Sequence, residues 1–179
     1  MWHHKMNLIL KSADEIYKSI IELSAVISSD YANSECLHLI SLLNGGSVFC
    51  ADLMRTLDTP TVLYHFGFDS KPLGPGDGQV RITLDVYDEL RGKDILIVEG
   101  LVISGRTPLY LMNYFKSRKP KSIEICAVGT KPRAREVELE VKYNLFQFEK
   151  EWVAGYGIGT GADRSKPYLF DANPSISEK

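Results

Sequence analysis

One stretch of this 179-residue chain, Asp94 to Arg118, constrains the fold more than any other. It begins with a near-continuous apolar run, Asp94 to Gly100, which is typical of a strand covered on both faces of a parallel sheet. Apolar side chains then recur at helical spacing, namely Leu109, Leu111, Met112 and Phe115. A strand, a short turn and a helix in this order predict a βα unit of an α/β fold.

The turn between this strand and helix is Ser104-Gly105-Arg106-Thr107. Glycine allows the backbone to turn tightly, and the first amide groups of a helix have no partners within the helix. With two hydroxyl groups and a cation added, such a turn is a preformed anion site. The same residues also fit an ordinary βα turn in which Thr107 caps the helix, and the spacing alone leaves both interpretations open.

The other segments extend the alternation of strands and helices. A capping box at Ser12–Glu15 opens an amphipathic helix that continues to about Ser29. Strands are predicted at Cys36–Leu43, Thr61–Phe68, Val80–Val86, Ser122–Val128 and Pro167–Asp171, a helix at Ser47–Leu57, and an edge or hood strand at Glu136–Lys142. The chain therefore predicts an α/β domain with a parallel sheet, whose ligands bind beyond the carboxyl ends of the strands.

Composition narrows the function classes. Hydrophobic residues make up 44% and charged residues 25% of the chain, and the net charge of −2 gives no general surface for nucleic acid. The apolar runs are strand-length, so we expect neither a membrane span nor a membrane partner. Three scattered cysteines, Cys36, Cys50 and Cys126, and the lack of a secretory signal predict reduced thiols and a cytoplasmic protein. We expect one domain over residues 1–179, with a core at about 8–171 and a tail at 172–179.

The segment VEGLVISGRT, residues 98–107, resembles the signature of type I phosphoribosyltransferases. The family signature begins with a hydrophobic strand and two acids, followed by apolar residues and a further acid. It ends in a turn made of a small residue, Gly, a basic residue and Thr, which holds the 5′-phosphate of a ribose phosphate. Ser104, Gly105, Arg106 and Thr107 match that turn, and Glu99 matches the first acid. The resemblance implies a Rossmann-like parallel-sheet core with helices on both faces and a small hood of strands.

Further segments are similar to the hypoxanthine-guanine branch of the family. Leu43-Asn44-Gly45-Gly46 resembles its first loop, which binds pyrophosphate through backbone amides, although the branch usually has Lys where this chain has Asn44. Asp69–Gln79 resembles its mobile flap, with Gly67-Phe68 at the base; a plain hairpin loop is the alternative. Arg164 resembles its pyrophosphate-contacting arginine with a one-residue shift.

The base-binding residues are also implied by this resemblance. Lys131 in Lys131-Pro132 matches a lysine that donates to the purine 6-oxo group, which favours 6-oxopurines over adenine because an ammonium donates to oxygen. Trp152 and Val153 match a segment whose aromatic ring stacks on the purine and whose backbone reads the edge of the base. From the residues alone, Lys131 fits a solvated loop cation equally well, and Trp152 also fits a core residue.

Three positions depart from the family pattern. Gly100 stands where the second acid belongs, Ile103 where a further acid manages the purine N7 proton, and Gly159 where an aspartate helps to hold magnesium. Glu99 is then the remaining candidate catalytic residue and a candidate metal ligand, and Asp163 is a candidate replacement ligand. Three nearby acids are the candidates to replace the missing base, namely Asp69, Asp77 and Asp163.

The resemblance implies a purine phosphoribosyltransferase that makes a nucleoside 5′-monophosphate and pyrophosphate from hypoxanthine or guanine and phosphoribosyl pyrophosphate. Mg²⁺ and a homodimer or homotetramer are expected with it. Because catalytic acids are replaced, we expect slow turnover. The alternatives are a non-catalytic, regulatory protein that binds a nucleotide or a phosphoribosyl phosphate, and an assembly partner that keeps only the fold.

Overall fold

The structure is a computed structural model that describes residues 8–69, 81–149 and 151–173, without the side chain of Asp69. Three helices and nine strands occur in these ranges, with two short 3₁₀ turns at Pro132–Ala134 and Gly161–Ser165. In chain order the elements are β1 (Leu8–Lys11), α1 (Ala13–Asp30), β2 (Leu37–Leu42), α2 (Ser47–Met54), β3 (Thr61–Asp69), β4 (Arg81–Leu84), β5 (Asp94–Val102), α3 (Arg106–Lys116), β6 (Ser122–Thr130), β7 (Tyr143–Gln147), β8 (Val153–Ala154) and β9 (Leu169–Asp171).

The strands form two sheets. The larger has the order β4-β3-β2-β5-β6-β7 and is parallel except for the β3–β4 pair. The smaller is an antiparallel sheet in the order β1-β9-β8, and we call this sheet, together with residues 155–168 between β8 and β9, the hood. The α/β fold with a parallel core and a hood, predicted from the sequence, is confirmed.

Strand β5 lies at the centre of the large sheet and is buried on both faces, as its continuous apolar run predicts. Leu96 and Val98 pack into a core cluster that includes α1, α2 and hood residues. Ile95 and Ile97 point to the other face, into a cluster that includes Leu111 and Phe115 of α3. Helices therefore cover both faces of the sheet.

Of the two helix caps considered from the sequence, the one at Ser12 forms and the one at Thr107 does not. The Ser12 hydroxyl accepts from the Glu15 amide, and the Glu15 carboxylate accepts from the Ser12 amide, so the capping box forms. In α3 the residue at the N-cap is Gly105, with φ of +82° and no side-chain cap. Thr107 therefore does not cap this helix, and the ordinary-turn interpretation loses its cap.

The prediction of a strand at Glu136–Lys142 is wrong. These residues form no ladder, and the edge strand is β7, which pairs parallel to β6. The alternation in the sequence arises because Leu139 and Val141 pack against the cluster of α3 while their neighbours face solvent. Alternate burial requires only an extended chain, which need not pair with a strand.

The sequence does not predict strand β1, because Leu8 and Ile9 are more than half exposed. Its only partner among the described residues is β9, far along the chain. The ranges 8–69, 81–149 and 151–173 contain no helix with both the length and the apolar character that a bilayer crossing requires.

Candidate functional site

Three turns come together at one edge of the large sheet. They follow β2, β5 and β6, which are adjacent parallel strands and therefore end on the same side. The Lys131 amide donates to the Val102 carbonyl at 2.9 Å, which joins the turn after β6 to the end of β5. The sequence-predicted site residues on these turns are thus neighbours in the structure.

The turn after β5, Ser104 to Thr107, presents unpaired amide groups at the start of α3. Its positive-φ glycine, Gly105, reverses the chain immediately before α3, and the Arg106 amide donates to the Ser104 hydroxyl at 3.3 Å. No residue in the described part of the chain accepts a hydrogen bond from the Gly105 or Thr107 amide. Two free donors at a helix start are the geometry that binds a phosphate.

A neighbouring segment supports this turn. The Glu136 amide donates to the Ser104 carbonyl at 2.9 Å, and the Glu136 carboxylate pairs with the exposed Arg106 at 2.6 Å. Arg135 packs over the turn so closely that a Cβ on Gly105 would lie 2.8 Å from its Cδ and 2.9 Å from its Nη1.

Arg135 is a cation that the sequence analysis missed. Its Nη1 is shielded from solvent and has no hydrogen-bond partner in the described ranges. Burial lowers the pKa of Arg135, since a desolvated guanidinium loses its hydration. A further basic residue shortly after Lys131-Pro132 was the only sequence signal, and nothing in it distinguishes Arg135 from the exposed Arg133.

A cavity of about 320 Å³ adjoins the turn. Its lining includes Phe68, which the resemblance places at the base of the flap, together with Glu99, Ile103, Ser104 and Thr107. The Ile103 side chain is 46% exposed, so the position of the missing acid faces open space.

Glu99 reaches this cavity from β5 but is buried. Burial raises the pKa of Glu99 to about 8, although a hydrogen bond from the Gly100 backbone opposes the shift. Burial therefore favours the neutral carboxyl group at pH 7, and a neutral carboxyl group can donate as well as accept a hydrogen bond.

The turn after β2 is packed tightly against β5. The peptide bond between Leu43 and Asn44 is cis, and the Gly46 amide already donates to the Leu42 carbonyl at 3.0 Å. A Cβ on Gly46 would lie 2.2 Å from the Val98 carbonyl oxygen, so only glycine fits this approach.

The same turn contacts Gly100 directly. A Cβ on Gly100 would lie 2.8 Å from the Gly45 carbonyl oxygen and 3.0 Å from Cγ1 of Ile158. The backbone of one turn and a hood side chain therefore occupy the space that a side chain at position 100 would need.

The base-binding candidates lie together on the other side. The Lys131 ammonium donates to the Glu151 carbonyl at 2.5 Å, next to Trp152 and Val153. The Trp152 backbone is held by a 2.9 Å bond from its amide to the Asp171 carboxylate, while its side chain is 61% exposed. The Trp152 ring is therefore available at the surface and is not a core residue.

The hood brings Arg164 and Asp163 close to Gly159. Arg164 donates from Nε to the Gly159 carbonyl at 2.6 Å. A Cβ on Gly159 would lie 4.0 Å from Cβ of Asp163, so the Asp163 side chain begins near the place where an acid at position 159 would begin. Tyr156 ties this part of the hood to α2 through a hydrogen bond from its hydroxyl to Asp52.

The described residues do not fit a protein-held Mg²⁺. No group of three His, Cys, Asp or Glu side chains among them is arranged to hold a metal ion. Glu99, one of the two predicted ligands, is buried and belongs to no such group. Of the other acids considered, Asp77 and the side chain of Asp69 lie outside the described residues.

Comparisons with known proteins agree with this geometry. The chain is 32% identical over 180 residues to hypoxanthine-guanine phosphoribosyltransferase of Bacillus subtilis, covering 99% of each chain. It is also 32% identical to bifunctional protein TilS/HprT of Listeria monocytogenes, of which it spans only 27%. Among solved structures, a mutant of Trypanosoma cruzi hypoxanthine phosphoribosyltransferase, in a ternary substrates complex, matches with 28% identity and a TM-score of 0.89, covering 98% of this chain and 99% of that one.

A family model described as a phosphoribosyl transferase domain matches residues 8–159, which include all three turns and the hood strands β1 and β8. The chain therefore belongs to the phosphoribosyl transferase domain family.

Proposed function

We propose that this chain transfers a phosphoribosyl group from phosphoribosyl pyrophosphate to a 6-oxopurine, hypoxanthine or guanine, and releases a nucleoside 5′-monophosphate and pyrophosphate. One observation carries the proposal: an open phosphate turn and the Lys131 ammonium lie at the ends of two adjacent strands, joined by the Lys131–Val102 hydrogen bond. The names of the relatives support the same substrate class.

On this proposal the purine lies between Lys131 and Trp152. The exposed Trp152 ring stacks on the flat base, and the ammonium donates to the 6-oxo group. The bond from Lys131 to the Glu151 carbonyl supports this placement, because it holds the ammonium beside the segment that carries the ring. Adenine presents an amino group at the same position and is disfavoured.

The 5′-phosphate binds at Ser104–Thr107. The free amides of Gly105 and Thr107 and the two hydroxyls donate to it, and Arg106 adds charge at the rim. Arg135 supplies a second cation, since its unpartnered Nη1 lies against Gly105. A phosphate would give this shielded donor a partner.

Turnover is slow, because the reaction needs groups that this chain lacks. As a purine nitrogen bonds to the ribose carbon and pyrophosphate leaves, a base normally manages the N7 proton, and loss of a general base costs about 10² to 10⁴ in rate. Ile103 cannot accept that proton. Burial raises the pKa of Glu99 to about 8, which disfavours a negative charge beside the cationic transition state at pH 7.

We assign Mg²⁺ to the pyrophosphate of the substrate, because the described residues lack a metal-binding cluster. The homodimer or homotetramer remains a prediction, which the mass of the native protein in sedimentation tests.

The test is nucleotide formation from labelled phosphoribosyl pyrophosphate and Mg²⁺ with hypoxanthine, guanine or adenine. We expect IMP and GMP above the level without protein, and less AMP. Two glycines with positive φ provide a matched pair of variants. In Gly105→Ala the new Cβ lies 2.8 Å from Cδ of Arg135, and we expect the reaction to stop. In Gly92→Ala the new Cβ has no described atom within 4 Å, and we expect the reaction to continue. No nucleotide above background with any base would refute transfer.

A further inference from the structure

An ion pair joins the turn Ser104–Thr107 to a segment from another part of the chain. Arg106 begins α3, and its Nη2 lies 2.6 Å from Oε2 of Glu136. The two side chains are 73% and 50% exposed, so water reaches both charges. Because exposed ion pairs contribute little free energy, a second anion can replace the Glu136 carboxylate on Arg106 at small cost.

The start of α3 carries positive charge that its own sequence does not balance. Its first turn contains no acidic residue, Gly105 provides no side-chain cap, and Arg106 adds a cation. The amino end of a helix favours a nearby negative charge. Glu136 supplies that charge from a later segment of the chain, and it is the same kind of charge that a bound phosphate would bring.

The Glu136 carboxylate is held beside the turn by its own backbone. The Glu136 amide donates to the Ser104 carbonyl at 2.9 Å. Leu139 and Val141, further along the same segment, pack against the core cluster to which α3 contributes. The carboxylate therefore stays near Arg106 when another anion arrives, and it reaches the guanidinium again without diffusing from solution.

We infer that Glu136 competes with the 5′-phosphate for Arg106 and so weakens the binding of ligands that place a phosphate in the turn. The inference rests on the proposed function for the identity of the ligand. Competition is confined to the cation, because within the part of the chain that the structure describes neither the Gly105 nor the Thr107 amide donates to Glu136. As the nucleotide leaves, the carboxylate pairs with Arg106 again, which favours release of the product.

Calorimetry on two glutamate variants tests the inference. Glu138 is the matched control, because it is exposed, lies close to Glu136 in the chain and forms no ion pair with any described residue. At low salt we expect Glu136→Gln to bind GMP about three- to tenfold more tightly than the native protein, with the affinity for guanosine, which lacks a phosphate, unchanged. Glu138→Gln removes the same charge and should change the GMP affinity by less than about twofold. Unchanged GMP binding in Glu136→Gln, or an equal gain in Glu138→Gln or for guanosine, would overturn the inference.

A double-mutant cycle with Arg106→Gln tests the cause. If Glu136 acts by occupying Arg106, Glu136→Gln should strengthen GMP binding by less than about twofold once the guanidinium is absent. A gain as large as in the native background would contradict competition, because the carboxylate would then repel the phosphate directly. Binding of GMP by none of the variants would refute the proposed function as well. Tighter GMP binding by Glu136→Gln without nucleotide formation would support the inference and refute transfer only.

Discussion

Gly100 and Gly45 are in backbone contact across the site, so closely that a Cβ on Gly100 would lie 2.8 Å from the Gly45 carbonyl oxygen. The position at which the family pattern has an acid is therefore filled by another part of the chain. Ile103, the other departure on β5 and its turn, is instead 46% exposed. The two missing acids differ in whether the present fold has space for them.

This difference predicts opposite responses to restored acids. Gly100→Asp must displace the Gly45 backbone, so we expect it to lower the free energy of unfolding by about 1–3 kcal/mol. Ile103→Asp adds a charge at an open position and should change stability by only about 0.5 kcal/mol. Urea unfolding of both variants measures the difference, and equal stabilities would contradict the close approach.

Ile103→Asp should also raise the rate of nucleotide formation. A carboxylate there can accept the purine proton, and general-base catalysis typically contributes about 10²-fold or more. Ile103→Asn is the matched control, because it has nearly the same shape without the base. If the two variants have the same turnover in single-turnover assays with guanine, the missing base does not explain a slow reaction.

Lys131→Met should weaken GMP binding by about tenfold to a hundredfold, because a hydrogen bond from a charged donor to the 6-oxo group is lost. AMP binding should change little, so the preference for 6-oxopurine nucleotides falls. Arg133→Met removes an exposed cation two residues away, paired with Glu149 at 2.8 Å, and should leave both affinities unchanged. Titrations in which Lys131→Met weakens GMP and AMP equally would argue for a general charge effect.

Burial of Glu99 predicts a specific pH dependence of stability. Its pKa of about 8 in the folded chain lies above the ordinary value of 4.5. Below pH 4.5 the carboxyl group is protonated in both the folded and the unfolded chain, so its ionisation does not affect stability there. Between these values the unfolded chain ionises while the folded one keeps its proton, and stability falls by about 1.4 kcal/mol per pH unit. Above pH 8 both forms are ionised, and the loss is constant.

Glu99→Gln abolishes this titration while keeping the shape. The stability of the native protein relative to Glu99→Gln should therefore decline from about pH 4.5 to about pH 8, in denaturant unfolding at several pH values. A difference that does not vary with pH would show that Glu99 keeps an ordinary pKa in the folded state.

Arg135→Met should weaken GMP binding by about tenfold, because the shielded guanidinium beside Gly105 no longer pairs with the phosphate. Its Nη1 has no partner in the described ranges, so its loss should not reduce stability. The exposed Arg133→Met again serves as the control. A fall in melting temperature without a change in affinity would assign Arg135 a purely structural role.

The sequence by itself determined the features that depend on nearby residues. The apolar run of β5, the turn Ser104–Thr107 and the spacing of α3 are local, because a strand and a helix impose their periods on adjacent positions. The parallel order of β2, β5 and β6 follows from the alternation of strands and helices, so the meeting of the three turns could also be predicted.

The tertiary structure decided what depends on distances between remote residues. The Gly45–Gly100 contact, the pairing of β1 with β9 and the role of Arg135 over Gly105 each join segments far apart in the chain. The pKa of Glu99 belongs to the same group, because desolvation is set by all the atoms packed around a carboxyl group and not by its neighbours in sequence. The identity of a residue determines which chemistry it can perform. The packing around it determines whether space and charge permit that chemistry.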